Sequence, residues 1–473
     1  MRAATLLHRI GACAAFLLLG VPTAQRADAQ AWDAVKYFQY NIENVTVAPD
    51  PVVLGGYTVR VMFSVTDPTN GGAAWNIKSA APFQYVGKDP ATGASISARL
   101  TLDIGWDPAS DFTNTGSANA ALTALTVLLS TPTGTASAMV AQVTNLHTTG
   151  SQPCTDAACP GVADLTNRYW VEKTVTPVPF GRATVTHGRV AIEGRPVCNG
   201  LVECAATPNA LIPVTSATAD FAFRPVNPQA AIVPNARRQV VDIAKCNGCH
   251  DNRQHGDTVV PVLSLHGANR NQNLNLCVMC HNANQTDVPY RYLAVDPLIS
   301  GPETAVDFKT MVHSIHSGGF RETPFVVIGR SSSINDYSDV RFPSSLRNCL
   351  NCHVEVGGKG SYELPLKAGV LGTTTATGSV YKVSPDAWRS IDVNPANDVK
   401  TSPTAAVCSS CHDKAEARSH MTRTGGASFS TTQSAIGVTV KERCASCHGS
   451  GRDEDVKKAH EVGRSGSSDE HDD

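Results

Sequence analysis

The sequence predicts two domains of different class: an N-terminal all-β sandwich or split barrel, then a domain of mainly short helices with little other regular secondary structure. Two observations carry this reading. Period-two runs of apolar and polar residues crowd the part before residue 224, whereas histidine is concentrated beyond residue 240, with three before it (His8, His147, His187) and twelve after. At 473 residues the chain exceeds one ordinary core and suits two domains with a terminal extension. Hydrophobic residues at 42% and charged residues at 17% describe a folded chain. With 39 basic and 41 acidic side chains the net charge is −2, which implies no broad attraction to nucleic acid.

Residues 1–29 read as a secretory signal: Arg2, His8 and Arg9 lead an uncharged run from Gly11 to Gln25, and Ala27-Asp28-Ala29 offers small residues for cleavage before Gln30. Loss of Arg2, Arg9, Arg26 and Asp28 shifts the charge from −2 to −4. Cys13 lies in Ile10-Gly11-Ala12-Cys13, but its apolar stretch follows the cysteine, unlike a lipidation box. No later run reaches the ~20 apolar residues of a transmembrane helix. The expected product is exported and soluble, periplasmic or at the outer surface of the cell.

Residues 30–224 form the β-domain in this reading. The runs Tyr57–Thr66, Arg99–Ile104 and Arg182–Glu193 alternate with period two, and Gly, Pro and Asn punctuate them, as in an antiparallel sandwich or barrel. The stretch Ala118–Leu129 is compatible with a helix lying across it. Cys154, Cys159, Cys198 and Cys204 form an even set in an exported domain and read as two disulfides, paired locally or crossed. Residues 225–236 are a proline-punctuated linker.

Ten of the remaining cysteines fall into five copies of Cys-x-x-Cys-His: Cys246-Cys249-His250, Cys277-Cys280-His281, Cys349-Cys352-His353, Cys408-Cys411-His412 and Cys444-Cys447-His448. This is the attachment signature of c-type haem. Two thiols on one helical turn reach the two vinyl groups of a porphyrin, and the adjacent histidine meets the iron as its proximal ligand. Zinc sites use such cysteine pairs two at a time, which five copies leave unmatched, and need no histidine after each. A dithiol oxidoreductase would carry one copy beside a βαβ pattern. The chemistry predicted is five covalent haems.

The sixth position of each iron decides between carrying electrons and transforming a substrate. His313 and His316 share a helix face in the stretch 306–316, so two such close ligands must serve neighbouring haems. His266 precedes the second motif, His420 follows the fourth and His460 follows the fifth. These five are the distal candidates. His255, on a polar turn, stands in reserve, and His471 belongs to an acidic tail at 463–473 that is expected to be disordered. Met311 and Met421 would each give one higher-potential His/Met site, against a packing role. Five bis-histidine irons leave no open position, so no catalytic residue is assigned.

Residues 237–462 allot roughly 45 residues to each haem, too few for a conventional core beside them, so the porphyrins must themselves form the core. The motif intervals (31, 72, 59 and 36 residues) exclude a tandem repeat, and the Gly/Thr/Ser-rich gap 357–404 reads as a surface excursion.

The segments Arg237–Asp242 with Lys245–His250, Leu265–Arg270 with Cys277–Asn282, Phe308–His316, and Cys408–Asp413 with His420-Met421 resemble the outer-membrane multihaem cytochromes of the OmcA/MtrC family. Members alternate two β-barrel domains with two pentahaem domains, and this chain looks like one such pair. It departs by lacking the second half and the lipobox, and by an insertion around His255. The resemblance implies bis-histidine haems and electron transfer to minerals, flavins or electrodes. Partners would be other cytochromes or redox proteins, a porin–cytochrome complex, a soluble flavin or a metal oxide. Five haems add about −5 to the mature charge, so low ionic strength should favour basic partners. The function expected is electron relay in anaerobic, extracellular respiration. Alternatives are a multihaem reductase of an inorganic substrate with one open haem, and a filament or complex subunit.

Overall fold

The computed structural model describes residues 33–463 apart from 53–55, 89–92, 94, 113–140, 176–185, 206–208, 224–229, 251–252, 256–257, 261–262, 289–290, 292–301, 330–332 and 378–394. The leader, the helix considered at 118–129 and residues 464–473 of the tail lie outside the described residues.

Two five-stranded antiparallel sheets, with a small ribbon of Val86–Lys88 and Ser95–Ser97, make the described N-terminal part. The first contains β1 (Gln39–Pro49), β2 (Tyr57–Asp67), β3 (Ala73–Ala74), β6 (Gln152–Pro153) and β7 (Tyr169–Val175), in the order β1-β2-β7-β6 with β3 on β2. The second contains β4 (Arg99–Trp106), β5 (Ala141–Val143), β8 (His187–Arg195), β9 (Ala217–Ala222) and β10 (Ala231–Val233), in the order β10-β9-β8-β4-β5. Residues of the expected linker therefore supply an edge strand, β10. Alternation puts Val59, Val61, Phe63 and Val65 of the first sheet, and Leu100, Leu102, Ile104, Trp106, Val190 and Ile192 of the second, in one core. Trp106, Phe221, Phe223 and Tyr57 meet edge-on or tilted within it. The structure pairs the cysteines locally, Cys154 with Cys159 and Cys198 with Cys204, at Cα separations of 5.6 and 5.2 Å.

A half-buried strand would turn its polar residues to water. Here Thr101, Asp103, Arg189 and Glu193 are all at most 1% exposed, because the C-terminal part covers the second face of this sheet. Leu276, Val278 and Met279 pack with Ala191 and Phe112 on that face. Gly105 permits the approach: a Cβ there would stand 3.0 Å from Phe112 and 3.4 Å from Met279. Arg189 bonds both carboxylate oxygens of Asp220, its cross-strand partner, and donates through Nη1 to the Asn275 carbonyl at 3.2 Å. Arg270 pairs with Glu193, and Asp111 receives Arg237, Arg238 and the amide of Leu371.

The C-terminal part is a succession of short helices, among them α1 (Ile243–His250), α2 (Leu274–Cys280), α3 (Phe308–His316), α4 (Pro403–Cys408), α5 (Ala415–Arg423), α6 (Ala445–His448) and α7 (Val456–Ala459), with a further helix at Gln433–Thr439. Two-stranded ribbons separate several of them. The stretch read as a surface excursion is partly interior. Strands 373–376, 399–401 and 431–432 form a sheet, and Thr373, Thr374 and Lys400 are buried. Lys400 donates to Asn284 Oδ1 and Thr374 Oγ1, both at 2.8 Å, and to the carbonyls of Ala283 and Gly372. A buried ammonium needs such a set of acceptors. Among the described residues no helix is long and apolar enough to cross a membrane.

Candidate haem centres

Each Cys-x-x-Cys-His segment occupies a helix end or tight turn. α1 ends on His250, and α2 runs through Cys277 and Cys280 with Asn273 as its N-cap, its side chain accepting from the amides of Asn275 and Leu276. Cys349–Asn351 is a single 3₁₀ turn, α4 ends on Cys408, and α6 follows Cys444 and includes Cys447 and His448. All ten thiols stay out of disulfides and are half-buried or exposed.

The histidines come in twos. Ring centres are 6.1 Å apart for His250 and His316, 6.1 Å for His266 and His281, 6.0 Å for His313 and His353, 5.9 Å for His412 and His460, and 6.0 Å for His420 and His448. Each pair joins one motif histidine to one distal candidate, and none is used twice. A metal about 2 Å from a nitrogen of each of two imidazoles sets the ring centres roughly 6 Å apart. The residues present thus fit five irons, each between two imidazoles. Among the described residues no three His, Cys, Asp or Glu side chains are arranged to hold a metal by themselves.

Ring orientation is set by the other nitrogen. Nδ1 donates to the Val306 carbonyl from His281 (2.9 Å), to Val312 from His316 (2.8 Å), to Glu454 from His448 (3.0 Å) and to Val456 from His460 (2.9 Å). His353 Nδ1 meets Ser361 Oγ at 3.0 Å, and since that hydroxyl donates to the Val240 carbonyl it accepts from the histidine. Such bonds leave Nε2 free as the nitrogen that could ligate a metal and raise its basicity. Burial first, then the charges of Arg270 and His281, depresses His266 to about 3; burial, then His313 and Lys245, does the same to His353. Both rings are held neutral, the form that binds a metal.

The pairing crosses the chain. His313 and His316 stand three apart on α3 yet face the third and first motifs respectively. Those motifs are tied together: Lys245 Nζ donates to the carbonyls of Leu350 (2.9 Å) and His353 (2.7 Å). Ser317 on the same turn donates to the Ser410 carbonyl inside the fourth motif at 3.1 Å. Glu442, two residues before Cys444, accepts from the amides of Thr404 (2.8 Å) and Ala405 (2.9 Å), capping the helix that ends on Cys408. The second motif meets α3 from its N-terminal side, where the Phe308 amide donates to the His281 carbonyl at 2.9 Å.

His255, the reserve candidate, lies on the ribbon 253–255/258–260, and its side chain is outside the described residues. Met311 sits on α3 and Met421 on α5, beside candidate ligands in sequence. Reading the sequence did not single out Ser361, which orients His353, or Asp103 and Glu193 beneath the second motif. A hydroxyl eight residues from its histidine, or an acid on a distant strand, carries no local signature.

Motifs, paired imidazoles and short-helix architecture together define a multihaem c-type cytochrome. Residues 238–461 match the family model for outer membrane cytochrome MtrC/MtrF-like proteins, domains II/IV, a match that supports kinship of this segment with the MtrC/OmcA family. The family consists of outer-membrane-associated cytochromes with covalently bound haem that act in extracellular electron transfer. No curated protein matches the chain.

Proposed function

We propose that the protein carries five haems, each anchored by one cysteine pair, and relays electrons through them to an acceptor outside the cell. The single observation that carries this reading is the set of five histidine pairs, 5.9–6.1 Å apart, that accounts for every motif histidine. Haem bound here supplies a reversible one-electron couple at iron. The chain does the rest. Cys246/Cys249, Cys277/Cys280, Cys349/Cys352, Cys408/Cys411 and Cys444/Cys447 form thioethers. His250, His281, His353, His412 and His448 would each hold one iron together with, respectively, His316, His266, His313, His460 and His420. Occupied sixth positions keep substrates off the metal and limit reorganisation when an electron passes.

Contacts between motifs support an order of first, third, fourth and fifth, with the second branching toward the β-domain. α3 links first to third, Cys349 lies within electrostatic range of Cys411, and Cys408 within that of Cys444. The β-domain is a rigid support for the second centre, bound through Met279, Arg189 and Arg270. The compartment proposed is the periplasm or the outer surface, after removal of residues 1–29, with another cytochrome, a flavin or a metal oxide as partner.

The test is the oxidised spectrum and electron paramagnetic resonance of the purified protein. Entirely low-spin ferric signals, with reduced protein oxidised rapidly by a soluble flavin or iron chelate, support relay. A high-spin signal with cyanide binding at one haem would instead make it a reductase.

A further inference from the structure

The face of β4 and β8 turned toward the second motif carries a buried acid that the electron relay does not use. Asp103 is 0% exposed; its Oδ1 accepts from Gln142 Nε2 at 2.7 Å, and its Oδ2 has no hydrogen-bond partner among the described residues. Alternation puts Asp103, Thr101 and Glu193 on one face, with Asp103 opposite Ala191 and Glu193 opposite Thr101, so the two acids are diagonal neighbours. Charged groups facing Asp103 are Glu193 from β8, Arg270 from the segment before α2, and Arg99 from its own strand. Arg270 is engaged by both oxygens of Glu193, which leaves Asp103 as the unmatched acid of the cluster.

The cluster lies against the second haem attachment. Burial raises the pKa of the Cys280 thiol; Arg270 lowers it, and Asp103 and then Glu193 raise it, so all three side chains lie within electrostatic reach of that anchor. Added negative charge in a low-dielectric site raises the proton affinity of a neighbouring carboxylate. The coupling is reciprocal: a proton on the acid makes the metal easier to reduce.

We propose that Asp103 is a proton-uptake site coupled to reduction of the haem anchored at Cys277 and Cys280. One electron from the donor converts one ferric iron to ferrous, one proton from solvent forms an O–H bond at the Oδ2 of Asp103, and no other bond forms or breaks. Gln142, which donates to Asp103, lies on β5, a three-residue strand at the end of its sheet among the described residues. Burial, then the Glu193 charge, pushes the Asp103 carboxyl up to about 8, against the pull of Arg270 and Arg99, so it titrates within a range open to experiment.

This inference rests on the haem reading above. The test is redox-difference infrared spectroscopy and potentiometry of the intact protein in an electrochemical cell, from pH 6 to pH 10, for wild type, Asp103→Asn and Glu193→Gln. Wild type should show a carboxylic-acid carbonyl band rising on reduction, and one component of the haem titration whose midpoint falls with pH. Asp103→Asn should lose both while keeping the same haem mass, and Glu193→Gln, which frees Arg270 and removes a charge that raises Asp103, should keep the band but move it to lower pH. A wild type with no such band, a band that persists in Asp103→Asn, or one that disappears only in Glu193→Gln overturns the proposal. A product without haem absorbance removes the haem reading, whereas haem absorbance with a pH-independent titration removes this one alone.

Discussion

His313 and His316 stand one helical turn apart on α3 and face different motif histidines, His353 at 6.0 Å and His250 at 6.1 Å. In the five-haem reading, a single helix would close two centres and hold them as neighbours. Replacing His316 with alanine should open the sixth position at the first haem only, and His313→Ala at the third only. Each variant should bind one carbon monoxide per chain in the reduced state, the double variant two, and the wild type none. Titration of the difference spectrum counts them; one carbon monoxide bound by the wild type would place an open iron in the native protein.

Ring planes differ between centres. His313 and His353 are nearly parallel at 8°, whereas His250/His316 and His420/His448 are each at 87°. Parallel imidazoles split the two iron d orbitals that point toward the ring π-systems; perpendicular ones leave them nearly degenerate. The oxidised protein should therefore show well-resolved rhombic low-spin signals from the pairs at 8° and 32°, together with strongly anisotropic, large-g signals from those at 87°. Loss of one rhombic signal in His313→Ala assigns it to the 8° pair.

The Arg189–Asp220 pair is buried, 1% and 2% exposed at the side chains, and Arg189 also holds the Asn275 carbonyl in α2. Removing one member leaves the other charge buried and alone, a cost of about 3–5 kcal/mol. Arg189→Met should lower the denaturant midpoint of the β-domain and raise hydrogen exchange across α2 and β8. Arg60, whose ion pair with Glu172 is partly exposed, provides the comparison: Arg60→Met should cost under about 1 kcal/mol.

His147 is buried in the β-domain, and burial, then the nearby Lys78 charge, lowers it from 6.5 to about 4. The unfolded chain therefore takes up a proton first as pH falls. Stability is full above pH 6.5 and declines toward pH 4, by about 3 kcal/mol in all from this group. Denaturation followed by near-ultraviolet circular dichroism should show that decline in wild type and a flatter profile in His147→Gln; equal slopes contradict it.

Much of the C-terminal chemistry was legible because it is local. A thiol pair and its histidine must sit on one turn, and His313 and His316 on one helix must diverge to two irons. Their actual partners were not legible, since α3 reaches the first and third motifs through contacts of some 40 to 65 residues in sequence. The strands of β2, β4 and β8 followed from alternation, but the fate of the polar face did not. Period two puts Asp103 and Glu193 on the face opposite the apolar residues, but nothing in that period says that α2 docks there and that both acids are buried. Composition likewise misread 357–404 in part, because threonines and a lysine that satisfy one another's hydrogen bonds are as suited to an interior as to a surface.

The central claim is that five pairs of histidines hold five covalently attached haems. Mass spectrometry of the intact exported protein, produced with cytochrome c maturation, tests it directly. The account predicts a mass equal to the cleaved chain plus five haems, falling by one haem when Cys277 and Cys280 are both changed to alanine. A mass with fewer than five haems, or one unchanged in that variant, would contradict it.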